Sequence, residues 1–254
     1  MGTTIAAERI IAALRDGLAP VPEVNALWLE GSRSAGDADE YSDIDLCLNV
    51  RDGSTDAIFA RVEAILAGLG ELDTCYERPA PAPDLRHRVY HVAGSSEYLL
   101  LDCTVEEERR NFVFTTGMDD EPLVLFDKAG VVRSRPLDLA QLRRDNLARL
   151  ATLEAEYRGY LPMVRKQFLR GMFIEAMGYY LRYVLTPLIE VLRIAHAPAR
   201  TDYYIKHIYR DLPPEITAQL DELFSVAGVE ECDAKLRHAE RLFAQAAAHA
   251  REGQ

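Results

Sequence analysis

The sequence predicts an α+β protein: a mixed sheet with flanking helices, followed by a helical bundle. Three observations predict it. Up to about residue 135, short β-rich runs alternate with amphipathic helical stretches and turns. After Pro136 nearly all the apolar spacing is helical. Between two of the early apolar runs lies a Gly31-Ser32 turn, followed eleven residues on by Asp43-Ile44-Asp45. The expected division is therefore 1–135, mixed α/β, and 136–254, helical.

Ile5 to Leu18 carries Ile10, Ile11 and Leu14 at helical spacing, and Pro20 and Pro22 end it. Val24 to Glu30 reads as a strand, and Gly31 to Ala35 as a turn running into a short helix. A polar loop, Asp37 to Ser42, leads into a second strand, Asp43 to Val50. Asp56 to Leu69 has an apolar stripe of Ile58, Val62, Ile65, Leu66 and Leu69. An extended piece follows at Leu72 to Tyr76, then an exposed loop marked by Pro79, Pro81 and Pro83. Arg86 to Val92 and Tyr98 to Val105 form an expected strand pair joined through Ala93 to Ser96. Leu123 to Phe126 and Val131-Val132 read as a further hairpin. Helical spacing then runs through Leu139 to Tyr157, Met163 to Leu185, Leu188 to Ile194, Glu215 to Phe224 and Cys232 to Ala250.

Composition narrows the function classes. Of 254 residues, 48% are hydrophobic, enough for real cores, and the formal charge of −12 argues against a broad nucleic-acid surface. Cys47, Cys75, Cys103 and Cys232 are too dispersed for a zinc site, and Cys47 and Cys103 lie in strand-like runs as small buried hydrophobes. Trp28, in the strand before Gly31, is expected in the core. No leader is read at the amino terminus, and no apolar run approaches the roughly 18 residues of a membrane span. A reducing cytoplasm is the expected setting.

The chemistry concentrates around residues 31–45. In a strand, alternate side chains share a face. Burying Ile44 and Leu46 therefore turns Asp43 and Asp45 to the other side. Two neighbouring carboxylates repel unless a cation lies between them or one is protonated. Mg²⁺ held by carboxylates and substrate phosphates is the natural resolution. A glycine turn lets backbone amides approach an anion closely.

Gly31-Ser32-Arg33-Ser34, then Ser42-Asp43-Ile44-Asp45-Leu46, then Asp102 at the end of Leu99-Leu100-Leu101 together resemble the polymerase-β-like nucleotidyltransferase superfamily over roughly the first 105 residues. Val124 to Gly130 looks like the hairpin closing the catalytic domain of bacterial small-molecule members. Tyr183 to Leu192 and Lys206 to Leu212 resemble the helical domain of antibiotic adenylyltransferases, the aminoglycoside 6- and 3''-types in particular.

The resemblance implies a nucleotidyltransferase catalytic domain over 1–135 and a helical substrate-binding domain over 136–254. It implies Gly31 and Ser32 on the β- and γ-phosphates of ATP, and Mg²⁺ on Asp43 and Asp45. Asp102 has two implied roles, third metal ligand or general base toward the acceptor hydroxyl, and the base role is favoured. Arg33 either assists the phosphates or solvates its loop. Tyr203 and Lys206 are candidates for nucleotide contacts, against a plain solvated amphipathic helix. Glu175, on an apolar stretch, either binds an acceptor amine or answers Arg170 or Arg182.

The acid runs Glu106 to Glu108 and Asp119 to Glu121 are read as solvated loops that would attract a polycation if they lined the cleft. The expected reaction is transfer of AMP from ATP to a hydroxyl of a small cationic or neutral acceptor, an aminoglycoside foremost, as in antibiotic resistance. A lincosamide or a protein side chain is the alternative acceptor. The acceptor is expected between the two domains.

Overall fold

The computed structural model describes residues 5–118 and 121–252. The chain divides into two compact units, Met1–Pro136 and Leu137–Gln254. Its architecture is α+β, with a mixed six-stranded sheet and helices first and a helical region after.

The first unit begins with helix α1 (Ala7–Leu18), strand β1 (Val24–Glu30), the short helix α2 (Gly31–Ala35) and strand β2 (Ile44–Val50). Helix α3 (Thr55–Ala67) and strands β3 (Leu72–Glu77), β4 (Leu85–Val92) and β5 (Leu101–Glu107) follow. Short strands β6 (Phe114–Thr116), β7 (Leu123–Asp127) and β8 (Ser134–Pro136) complete it. The sheet order is β3-β4-β5-β2-β1-β7, and β6 pairs with β8 separately. The β2–β5 pair is parallel, while the other pairs in the large sheet are antiparallel. A parallel pair needs a long crossover, which α3, β3 and β4 supply.

Apolar periodicity explains the layers. Ile10, Leu14 and Leu18 of α1 and Ile58, Phe59, Val62 and Leu66 of α3 are buried in one core with Leu27, Leu29, Ile44, Leu46, Leu48 and Val50 of the central strands. Trp28, on the alternate face of β1, packs with Ala26, Cys47 and Phe114 in a second cluster. The burial expected of Trp28, Cys47 and Cys103 holds.

Two readings of this unit are corrected. Residues 123–132 are not a hairpin: β7 pairs with β1, and Val131-Val132 are in no strand. The Asp127 carboxylate instead accepts the backbone N–H groups of Ala129, Val131 and Val132, which makes a capped turn. Glu106 and Glu107 are not in a solvated loop but buried at the end of β5. Asn49 donates to Glu106 at 2.9 Å, and the Gly53 amide and Thr55 hydroxyl donate to Glu107, both at 3.1 Å. Burial raises the Glu106 pKa. Of the second acid run, Asp119 and Asp120 lie outside the described residues.

The second unit contains α4 (Leu139–Leu169), α5 (Phe173–Tyr180), a π turn (Leu181–Leu185) continuing into α6 (Thr186–His196), and a 3₁₀ stretch (Pro198–Tyr203). Helices α7 (Ile208–Asp211), α8 (Pro214–Phe224) and α9 (Val229–Glu252) follow. The expected helix over 163–185 is interrupted after Leu169: Gly171 takes a positive φ of 68°, which separates α4 from α5. Tyr157 stacks on Phe243 at 4.0 Å in the core, and Tyr180 donates to the Leu223 carbonyl. No described helix is long and apolar enough to cross a membrane.

Candidate active site

The first constellation forms where β1, β2 and β5 lie side by side. β2 pairs antiparallel with β1, placing Asp45 opposite Glu30, and parallel with β5, placing Asp45 beside Asp102. Gly31 follows directly, starting α2 with a φ of +65°. A Cβ added there would lie 2.1 Å from Asp45 Oδ2. The glycine is thus required twice, by its left-handed backbone and by the carboxylate occupying its side-chain space.

Asp102 lies one strand over and is incompletely satisfied. Its Oδ2 is 3.0 Å from Arg78 Nη1, whereas its Oδ1 is buried without a hydrogen-bond partner. A buried, unsatisfied carboxylate oxygen is costly and calls for a donor or a cation. Arg78 follows β3, and its side chain is about half exposed at 49%. Tyr76, Asp102 and Asp45 raise the pKa of its guanidinium, so its charge is permanent.

Asp43 sits just before β2 and is exposed, while Asp45 is partly buried. Among the described residues no three His, Cys, Asp or Glu side chains gather into a metal cluster, so Asp43, Asp45 and Asp102 do not form one preassembled cage. The donor set still suits a hard cation. Mg²⁺ takes one or two carboxylates and completes its shell with water and substrate phosphates. The Asp45/Asp102 pair and the unpartnered Asp102 Oδ1 fit that mode.

Arg33 is committed elsewhere. Its Nε donates to the Asp43 carbonyl at 2.8 Å and its Nη2 to the Ser42 carbonyl at 3.3 Å, and Nη1 lies 3.5 Å from Glu8. It braces the chain leading into β2. Ser32 lends its carbonyl to the Asp37 amide at 2.9 Å, closing the turn after α2.

The second constellation belongs to the helical unit, and there the solvated-helix alternative for Tyr203 to Lys206 is corrected. The segment leaves its 3₁₀ turn at Tyr203, and Tyr204 and His207 take positive φ values of 48° and 57°. The reason is Arg193, fully buried in α6. Its Nε donates to the Tyr204 carbonyl at 2.6 Å, and its other nitrogens donate to the carbonyls of Arg200 and Lys206 and to Asp211. The Tyr203 ring has Arg193, Arg200 and Lys206 cations 5.6 to 5.9 Å from its centroid. The Lys206 residue is exposed. Glu175 is exposed on α5 beside an exposed Ile174, so its apolar neighbours in sequence do not bury it.

Sequence reasoning passed over Arg78, Arg193 and Asp211 as site-shaping residues. Arg193 had a signal, a lone cation within Val191-Leu192-Arg193-Ile194. Arg78 had only its place before a proline-rich loop. A recess of about 590 Å³, mostly apolar, is built from helical-unit residues such as Ile205, Tyr209, Leu220 and Phe224, and it contains none of the carboxylates above. His207, Arg210 and Asp221 also line it.

No protein-family profile and no curated protein matches the chain. Solved structures of adenyltransferases and nucleotidyltransferase-like proteins are similar to it. An aminoglycoside 6-adenyltransferase from Bacillus subtilis aligns with a TM-score of 0.43 and 15% identity, over 98% of this chain and 91% of its own. A nucleotidyltransferase-like protein from Exiguobacterium sibiricum aligns with a TM-score of 0.36 and 13% identity, over 94% and 75%. A spectinomycin adenyltransferase from Enterococcus faecialis, solved with ATP and spectinomycin, aligns with a TM-score of 0.35 and 8% identity, over 97% and 100%.

Proposed function

We propose that this protein is a Mg²⁺-dependent adenylyltransferase moving AMP from ATP to a hydroxyl of a small acceptor, an aminoglycoside foremost. The observation that carries this reading is the Asp45 carboxylate set against the left-handed Gly31 turn, with Asp102 beside it on the next strand. A backbone that approaches anions at a helix start and a carboxylate pair that attracts a cation are the two parts a nucleoside triphosphate requires.

In this assignment Gly31 and Ser32 bind the β- and γ-phosphates. Asp45 and Asp102 would hold Mg²⁺, with exposed Asp43 at the rim, and the ion would neutralise the triphosphate and polarise the α-phosphorus. Asp102 would lend one oxygen to the ion and, as general base, take the acceptor hydroxyl proton on the other. The hydroxyl oxygen bonds to the α-phosphorus in line as the bond to the bridging αβ oxygen breaks, and pyrophosphate leaves with that electron pair. Positioning and charge stabilisation do most of the work.

We assign acceptor recognition to the helical unit, with Tyr203 and Lys206 for the nucleotide and Glu175 for acceptor ammonium groups. A cationic acceptor is supported by a recess of about 310 Å³ in that unit, lined by Thr186, Glu190, Thr201, Asp202 and Tyr204, where Asp202 adds its carboxylate to a Glu190 that Arg149 already pairs.

The test is Asp45→Asn assayed with ATP, Mg²⁺ and a panel of aminoglycosides, lincosamides and candidate proteins, reading the mass gain of one AMP residue. Transfer to an aminoglycoside should fall by about 10³-fold or more in the variant. Full transfer by a folded Asp45→Asn protein sinks the metal assignment. AMP appearing only on a lincosamide or a protein moves the acceptor to that class.

A further inference from the structure

Asp102, beside Asp45 on the next strand, has a cation of its own. Arg78 Nη1 stands 3.0 Å from Asp102 Oδ2, and its guanidinium also feels the Asp45 charge. Arginine does not lose its proton in proteins, so this charge can leave the pair only by moving. The surroundings separate a fixed backbone from a movable side chain. The Arg78 amide donates to the His87 carbonyl at 3.0 Å, extending the β3–β4 ladder, and Pro79, Pro81 and Pro83 stiffen the chain beyond it. The side chain itself is half exposed. Arg33 is spent on two carbonyls and Glu8. One acceptor nevertheless remains unsatisfied with Arg78 in place, the buried Oδ1 of Asp102.

We propose that Arg78 is a positioning residue that serves as an internal counter-ion, taking the place of the divalent cation at Asp45/Asp102 in the nucleotide-free protein and passing to the triphosphate when nucleotide binds. The proposal rests on the adenylyltransferase reading above. Arginine favours phosphate oxygens, which accept its fork in a bidentate manner. An arriving triphosphate therefore draws the guanidinium off the carboxylates as it brings their ion. The device couples the two ligands: metal alone competes with Arg78, and nucleotide removes the competitor. Mutual strengthening follows by linkage.

Mn²⁺ alone, titrated by electron paramagnetic resonance without nucleotide, tests this directly. R78Q should bind Mn²⁺ about tenfold more tightly than the parent, the scale of ordinary site–site coupling, whereas R78K, which keeps the charge, should stay near the parent. R78Q should also bind a non-hydrolysable ATP analogue less tightly in the absence of metal. R78A provides a second truncation, and thermal melts confirm folding. Equal Mn²⁺ affinity in the parent, R78Q and R78A overturns the proposal. If Asp45→Asn meanwhile abolishes Mn²⁺·ATP-analogue binding, only the role of Arg78 falls. If Asp45→Asn binds like the parent, the adenylyltransferase reading beneath it falls too.

Discussion

Among the places where this molecule encloses charge, two settle it differently. In the helical unit, Arg193 is wholly buried, and its guanidinium is answered by three backbone carbonyls and Asp211, which Arg200 also reaches. In the sheet unit, Asp102 is answered on one oxygen by a half-exposed arginine and on the other by nothing. The closed network fixes a loop that has no regular structure, holding Tyr204 and His207 in positive-φ conformations. The open one leaves valence for something else to fill. A buried charge with every partner in place reads as architecture. A charge with one buried oxygen unanswered, set beside a left-handed glycine, reads as a site.

Breaking the closed network should have the largest effect on stability. Arg193→Met strands three carbonyls and removes a partner of Asp211, so the helical unit should lose about 3–5 kcal/mol in urea denaturation. A loss below 1 kcal/mol would erase the distinction between the two networks.

The open constellation should behave oppositely. Gly31→Ala forces a Cβ into the space of Asp45 Oδ2 at a positive φ, and should cost about 1–2 kcal/mol of stability. Affinity for an ATP analogue, measured calorimetrically, should fall by an order of magnitude or more through the displaced carboxylate. Unchanged affinity would mean that Gly31 serves the turn alone.

Smaller, pH-dependent effects sharpen the contrast at the sheet edge. The Arg86 hydrogen bond, with help from Arg88, holds the Glu77 carboxyl at about 2 against an ordinary 4.5. Its stabilisation is therefore present above pH 4.5 and lost as pH falls toward 2. Glu77→Gln should flatten the acid limb of the melting-temperature profile over that window.

The smallest effect is expected at His91. Burial lowers its pKa, but the Asp73 carboxylate at 2.6 Å and the Ser96 carbonyl at 3.0 Å outweigh burial and raise it above 6.5. This contribution is complete below pH 6.5 and lost as pH rises through the raised value. His91→Gln should lower the melting temperature by a degree or two at pH 5.5 and not at pH 9. Equal losses at both would assign His91 a packing role only.

Much of the fold was legible because it depends on period. Strands with alternating or continuous apolar runs, such as residues 24–30 and 44–50, and helices with a 3.6 stripe, such as residues 55–67, declare themselves locally. The errors share a cause. Val131-Val132 reads as a strand by composition, but the Asp127 carboxylate accepts both of their amides and folds the segment into a turn. Glu106 and Glu107 read as solvated, yet the parallel β2–β5 pair draws them inside, where Asn49 donates to Glu106 and Gly53 and Thr55 donate to one oxygen of Glu107.

The sequence by itself determined the mixed-then-helical order, the Gly-Ser turn, and the carboxylates whose types and spacing suit metal and phosphate, since these follow from side-chain chemistry and local period. Only the tertiary structure decided which charges are enclosed. Glu175 and Arg193 each interrupt an apolar stretch, and the same local argument applies to both. One is exposed and the other is fully buried. Likewise, only strand pairing sets Asp45 beside Asp102, and only the folded edge after β3 delivers Arg78 to them. Enclosure depends on contacts far apart along the chain, and a local pattern carries no information about them.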